Sequence, residues 1–266
     1  MTHQLGSVAL LIACSVAAVA GADRLTDRDV KALVSRIEDG RNKFDDALDD
    51  KLKSMVIRGP SREVKVAQYL DDFQASIDRL EERLKPDYAG STEAAAVLRE
   101  ASVIDGVLRR QPAGTRGVSE WNRLAADLRV LAAAYGASFP VPEGATPRRL
   151  GDRELAEMAE QLADMADRLK NALDDDLKND TTVDATTRQS IVDDASQLER
   201  DAKALRERVN DGDPSSAEAE RLLVRSARIR SVINDRRLSA AKAAWSPIAP
   251  KVADIAAAYG MEWLDR

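Results

Sequence analysis

Histidine and cysteine are almost missing from this chain, whose 266 residues hold one of each, His3 and Cys14. Both fall in the first 22 residues, which read as a segment removed on export, so the remainder has neither. That remainder has no Ser-His-Asp or Cys-His nucleophile system and no Cys- or His-ligated zinc, copper or iron centre. No disulfide staples it, so helix packing alone must hold it together. Aromatic residues are 4% of the sequence, which does not suit a β-sandwich or barrel. Neither GxxxxGK nor GxGxxG occurs, so there is no phosphate-cradling loop. Basic residues do not dominate: 40 Lys+Arg stand against 46 Asp+Glu, a net charge of −6. General nucleic-acid binding runs on the opposite imbalance and is excluded on that ground.

What is present in quantity is Ala, Leu, Arg, Asp and Glu, with 44% hydrophobic and 32% charged residues. That is the composition of long amphipathic helices. Two domains of about 100–150 residues fit the length.

From Leu5 to Ala22 there is no charged residue, and Val8 to Val19 is the apolar centre. Two small-x-small exits follow, Ala18-Val19-Ala20 and Ala20-Gly21-Ala22, before the charges Asp23 and Arg24. The layout is that of a secretory signal peptide over 1–22, cleaved after Ala22, with Ala20 the alternative, although Met1–Gln4 carries no Lys or Arg. The expected address is therefore periplasmic or extracellular, with no transmembrane segment after cleavage. A lipoprotein reading uses Leu11-Ile12-Ala13-Cys14, but the apolar run continues past Cys14 to Ala20. An uncleaved anchor has only about 18 apolar residues and no basic flank to orient it.

The rest reads as one unit written twice. WNRLAADLRVLAAAYG (121–136) aligns with WSPIAPKVADIAAAYG (245–260), an offset of 124 residues. Upstream the offset is 125: ALDDKLK (47–53) matches ALDDDLK (172–178), and Ser91-Thr92-Glu93-Ala94 matches Ser216-Ala217-Glu218-Ala219. Each copy carries four stripes of apolar residues at helical spacing. In the first copy they begin at Val30, Ala67, Val97 and Trp121, with Leu48 and Leu52 closing the first; in the second they begin at Leu155, Ile191, Leu222 and Trp245. Thr26 with Asp29, Thr186 with Gln189, and Ser215 with Glu218 have capping-box spacing. Gly136 and Gly260 stand where a left-handed glycine ends a helix. Pro247 and Pro250 interrupt the last stripe, which predicts a final helix starting at Ser246 with Pro247 in its first position. The expected fold is all-α: two tandem antiparallel four-helix bundles at 23–136 and 151–266, joined by a Pro- and Gly-rich linker at 137–150.

The helix W-x-x-L-x-x-D-L-x-x-L-A-x-x-Y, here Trp121, Leu124, Asp127, Leu128, Leu131, Ala132 and Tyr135, resembles the closing helix of a type of secreted all-α bacterial protein. The second copy departs at Ala249-Pro250-Lys251, where the acid is replaced. The resemblance spans about 16 residues per copy and implies an exported helical protein, with no particular activity.

Three groups invite a chemical reading. Trp121 with Tyr135, and Trp245 with Tyr259, could stack a ligand; their place on the apolar stripe makes them structural anchors of each core. Asp174, Asp175 and Asp176 with Asp180 and Asp184 could take Ca²⁺, and Asp174, Asp176 and Asp180 are the metal candidates. The EF-hand spacing is not met, however, and a solvated helix end explains them. Arg221, Arg225, Arg228, Arg230, Arg236 and Arg237 could meet an anionic partner; pairing with Glu154, Glu157, Glu160, Asp164 and Asp167 of the first helix of the same copy is the simpler expectation. The functional expectation is an exported, non-catalytic binding or scaffolding protein of the bacterial envelope or exterior, needing no cofactor and meeting a protein or other envelope component. An envelope sensor or adaptor that binds a small ligand or cation between helices is the alternative. A carboxylate-based hydrolase ranks third.

Overall fold

The structure is a computed structural model that describes residues 23–58, 63–112 and 114–263. The expected leader at 1–22, with Cys14, Ala20 and Ala22, lies outside the described residues, as does the expected turn at Pro60-Ser61. The chain is predominantly helical, with ten helices and one two-stranded hairpin among the described residues. In order they are α1 (Asp27–Ala47), α2 (Asp50–Ser54), β1 (Val56–Arg58), β2 (Glu63–Lys65), α3 (Val66–Arg83), α4 (Ser91–Leu108), α5 (Val118–Ala134), α6 (Asp152–Lys178), α7 (Ala185–Asp211), α8 (Ser216–Arg236), α9 (Ser239–Trp245) and α10 (Ile248–Ala258).

Two separate hydrophobic cores form, one from Val30 to Phe139 and one from Leu155 to Ala256. Around the first, α1 packs on α3 and α5, and α4 closes the ring between α3 and α5. Around the second, α6 packs on α7, α7 on α8, and the α9–α10 pair returns to α6 and α8. Neighbours run antiparallel. Trp121 at the start of α5 meets Asp105 near the end of α4, while Tyr135 just past α5 reaches the carbonyl of Ala89 ahead of α4. In the second ring Arg206, late in α7, pairs with Glu160, early in α6, and Tyr259 after α10 meets Ser215 before α8.

Sequence chemistry sets the helix ends. The Thr26 hydroxyl accepts from the Asp29 amide at 3.1 Å, and the Asp29 carboxylate accepts from the Thr26 amide at 3.1 Å, a reciprocal cap. The Thr26 hydroxyl also donates to the Asp29 carboxylate at 2.7 Å, and that bond is the main reason the Asp29 carboxyl sits below its ordinary pKa. Gly136 and Gly260 both adopt φ of +63°, as their positions predict. After α5, Ala137 N–H reaches Ala132 O and Gly136 N–H reaches Ala133 O; after α10, Met261 and Gly260 repeat the pattern on Ala256 and Ala257. This double bond pattern satisfies carbonyls that the helix leaves orphaned.

Several boundaries differ from the sequence reading. Leu48 and Leu52 do not extend α1: the helix stops at Ala47, Asp49 caps α2 by accepting from Leu52 N–H at 2.8 Å, and a hairpin follows. The matching ALDDDLK at 172–178 stays inside the unbroken α6. Thr186 is not a cap, because the Asp184 carboxylate takes the amides of Thr186 and Thr187 at 3.0 and 2.9 Å. Ser215 stands at the cap of α8 but its hydroxyl is committed to the Tyr259 phenol at 2.7 Å. Pro247 precedes α10 instead of starting a helix from Ser246, and Trp245 ends α9. Pro250 is then the third residue of α10, where a missing N–H costs no helical bond.

The segment 137–150 contains no helix or strand and lies against the first core. Phe139 is buried, Val141 N–H donates to the Ser102 hydroxyl, and Arg148 N–H donates to the Tyr135 carbonyl. Trp263, three residues past Gly260, lies against the second core much as Phe139 does against the first, with the Arg230 guanidinium 4.8 Å from its ring centroid.

Candidate functional site

Among the described residues a dense polar cluster lies where α1 and α6 begin side by side. Asp27 and Asp152 are the first residues of α1 and α6, and a helix start offers unpaired amides and a partial positive charge. Each carboxylate serves the other unit's helix. Asp27 N–H donates to Asp152 Oδ2 at 2.7 Å, and Asp152 N–H donates to Asp27 Oδ2 at 2.9 Å. The remaining oxygen of each takes an arginine: Arg24 Nη1 of the first unit lies 2.5 Å from Asp152 Oδ1, and Arg149 Nη1, near the end of the joining segment, contacts Asp27 Oδ1. The second arm of each guanidinium reaches across as well, Arg24 to the Leu150 carbonyl at 2.6 Å and Arg149 to the Leu25 carbonyl at 2.8 Å. The Arg24 and Arg149 side chains are only 7% and 3% exposed, so these charges are largely removed from water and depend on each other.

Every member of this junction has its counterpart 125 residues away, Arg24 with Arg149, Leu25 with Leu150, and Asp27 with Asp152. The signal that could have revealed these residues from sequence is the pair R-L-T-D-R at 24–28 and R-L-G-D-R at 149–153. Around the junction stand the two aromatic closers. Tyr135 is fully buried, its hydroxyl donating to Ala89 O at 2.6 Å, and burial pushes its phenol pKa up. Tyr259 is partly buried and likewise raised by burial, opposed by the bond to Ser215 and by the charge of Arg24.

The other sequence candidates fall elsewhere. Trp121 is 2% exposed; its ring lies 5.1 Å from that of Phe44 and its indole N–H donates to the buried Asp105 carboxylate at 3.0 Å. Trp245 is 6% exposed in the second core. The acidic run is dispersed among separate partners. Asp174 faces Lys178 at 2.6 Å, Asp176 accepts from Ala241 N–H at 2.9 Å, and Asp180 binds Thr182 and faces Arg236. No three acidic, histidine or cysteine side chains among the described residues are grouped to hold a metal ion.

Among the described residues, Arg221, Arg225 and Arg236 pair outside α6 and not with it as expected. In the ring α8 neighbours α7 and the α9–α10 pair, so its partners come from there: Arg225 Nη1 sits 2.6 Å from Asp194 on α7, and Arg225 Nε lies 3.6 Å from the buried Asp201. Arg221 faces Glu218 of its own helix, and Arg230 lies over Trp263. Along this face of α7 runs an open depression of about 670 Å³, lined by Thr186, Gln189, Ser190, Asp193, Gln197 and Arg200 among others. The first unit has a half-buried counterpart that the sequence reading also missed. Burial raises the Glu100 carboxyl pKa, opposed by Ser76 and Arg79, and the Tyr69 hydroxyl donates to the Glu100 carbonyl at 3.3 Å.

No protein-family model matches this chain, and no curated protein or solved structure matches it. No helix among the described residues is long and apolar enough to cross a membrane.

Proposed function

We propose that this chain is an exported bacterial protein with a non-catalytic scaffolding or binding role in the cell envelope or exterior. In this reading 1–22 is a cleaved leader, 23–136 and 151–266 are two helical bundles derived from an internal duplication, and 137–150 joins them. The observation that carries the reading is the reciprocal junction. A bare tether would need only the linker chain, whereas here the first helix of each unit caps the other's, and Arg24 of the first unit and Arg149 of the joining segment clamp the two carboxylates. Such a connection fixes the orientation of two helical units, which is what a scaffold requires and a catalyst does not. The shared 125-residue register of the junction residues supports the duplication. The sensor or adaptor reading is favoured by one observation, the polar depression on α7.

Export and scaffold are tested separately. N-terminal sequencing of protein recovered outside the cytoplasm is expected to start at Asp23; a lipid-blocked Cys14 would replace the leader reading with a lipoprotein. Small-angle scattering of the purified chain is expected to fit one rigid shape, and a mixture of separated units would remove the scaffold argument.

A further inference from the structure

We propose that the depression on α7 binds a short peptide with free ends, a role separate from the junction and the scaffold. On the equivalent helix of the first unit Tyr69 is 1% exposed, and its hydroxyl donates to the Glu100 carbonyl of α4 at 3.3 Å. At the same register 125 residues later stands Asp194, and opposite it Arg225 in place of Glu100. The ring is gone and an open space of about 670 Å³ remains, within the usual range for small-ligand sites.

The charges lining it are unevenly used. Asp194 and Arg225 neutralise each other at 2.6 Å. Behind them Asp201, its side chain 6% exposed, keeps Oδ2 without a hydrogen bond, 3.6 Å from an Arg225 Nε that also lacks one. This leaves two charges with only neutral partners. Asp193 accepts from the Gln189 amide at 2.9 Å, and Arg200 donates to the Gln197 carbonyl oxygen at 3.0 and 2.7 Å. A partner of opposite charge adds a Coulombic attraction that a neutral amide lacks, so it displaces the amide.

Asp193 and Arg200 are seven residues apart on one helix, so they share a face and stand about 10 Å apart along its axis. An ammonium at Asp193 and a carboxylate at Arg200 are therefore the ends of one zwitterion. Three residues of extended peptide span about 10 Å. The hydroxyls of Thr186 and Ser190 and the amides of Gln189 and Gln197 line the same space and suit peptide groups between the ends.

Isothermal titration of the full chain with tri-alanine carrying free ends tests this, beside N-acetyl-tri-alanine amide and 6-aminohexanoate. Binding of the free tripeptide is expected at about 1–10 mM or tighter, with at least a fivefold loss when both ends are blocked. Asp193→Asn and Arg200→Gln, both at exposed positions whose loss leaves the helical circular dichroism unchanged, are each expected to weaken binding at least threefold. Absence of heat with the free tripeptide overturns the proposal, as does equal binding of the blocked peptide. Equal binding of 6-aminohexanoate shows a zwitterion site indifferent to peptide groups and overturns the peptide assignment. None of these results bears on the junction, which scattering tests independently.

Discussion

Replacing Trp121 by Phe separates what its ring contributes from what its indole nitrogen contributes. The ring is 2% exposed and tilted 55° against Phe44 at 5.1 Å, so phenylalanine keeps most of the apolar contact. What it removes is the 3.0 Å bond to Asp105, a carboxylate only 5% exposed whose other oxygen lies 2.6 Å from Arg109. A hydrogen bond to a charged group contributes about 1.5–3 kcal/mol, and a buried acceptor left unmade costs a similar amount. Trp121→Phe should therefore destabilise the first unit by about 2–3 kcal/mol, and Trp121→Ala by about 3–5 kcal/mol or more, since it also opens a cavity. In an Asp105→Ala background the Trp121→Phe cost should shrink by about 1.5–3 kcal/mol, because the partner is already gone. Trp245, 124 residues later, has Arg230 where an aspartate would be needed, so Trp245→Phe should cost about 1 kcal/mol or less. Urea unfolding followed by circular dichroism, with fluorescence as a second probe, measures all of these. A Trp121→Phe cost below about 1 kcal/mol, or the same cost with and without Asp105, would refute the pairing argument.

Three further outcomes follow from local chemistry. Thr26→Ala breaks the reciprocal cap of α1 and should lower stability by about 1 kcal/mol in thermal unfolding; no change would mean the cap is idle. Gly136→Ala, at φ of +63°, forces a side chain into the left-handed region and should cost about 1 kcal/mol or more, whereas a stabilising result would contradict the observed turn. Burial raises the Glu100 carboxyl above its ordinary 4.5. The folded chain therefore resists ionisation that the unfolded chain accepts, and stability present below that value is lost as pH rises through the raised one. Glu100→Gln should stabilise at pH 7 and make no difference at acid pH, and the reverse pattern would exclude buried ionisation as the cause.

How legible this was from sequence depended on how local each cause is. The long helices followed from apolar spacing, and Gly136 and Gly260 from the need for a left-handed residue. The break after Ala47 did not, because ALDDKLK and ALDDDLK carry the same apolar pattern yet only the second continues a helix. The difference is tertiary. Asp49 turns to cap α2, whereas the corresponding Asp174 pairs with Lys178 along α6 and Asp176 receives Ala241 N–H from α9. Three-residue strands are too short for alternation to announce them. The arginine partners were misassigned because charge pairing was read by sign alone, while adjacency in the ring puts α7, and not α6, beside α8. The junction residues stand in the sequence as R-L-T-D-R and R-L-G-D-R, but their meaning needs two segments about 125 residues apart to meet.

Arg24, Asp27, Arg149 and Asp152 should hold the two units in one orientation. Spin labels at exposed positions of α1 and α7, for example Ser35 and Lys203, with pulsed electron–electron resonance give the distribution of distances between units. Wild-type protein should give one narrow distribution, unchanged at high salt because the pairs are mostly buried. Arg24→Gln combined with Arg149→Gln should broaden it while circular dichroism stays helical. A broad distribution in the wild type, or a narrow one that survives loss of both arginines, would contradict the claim.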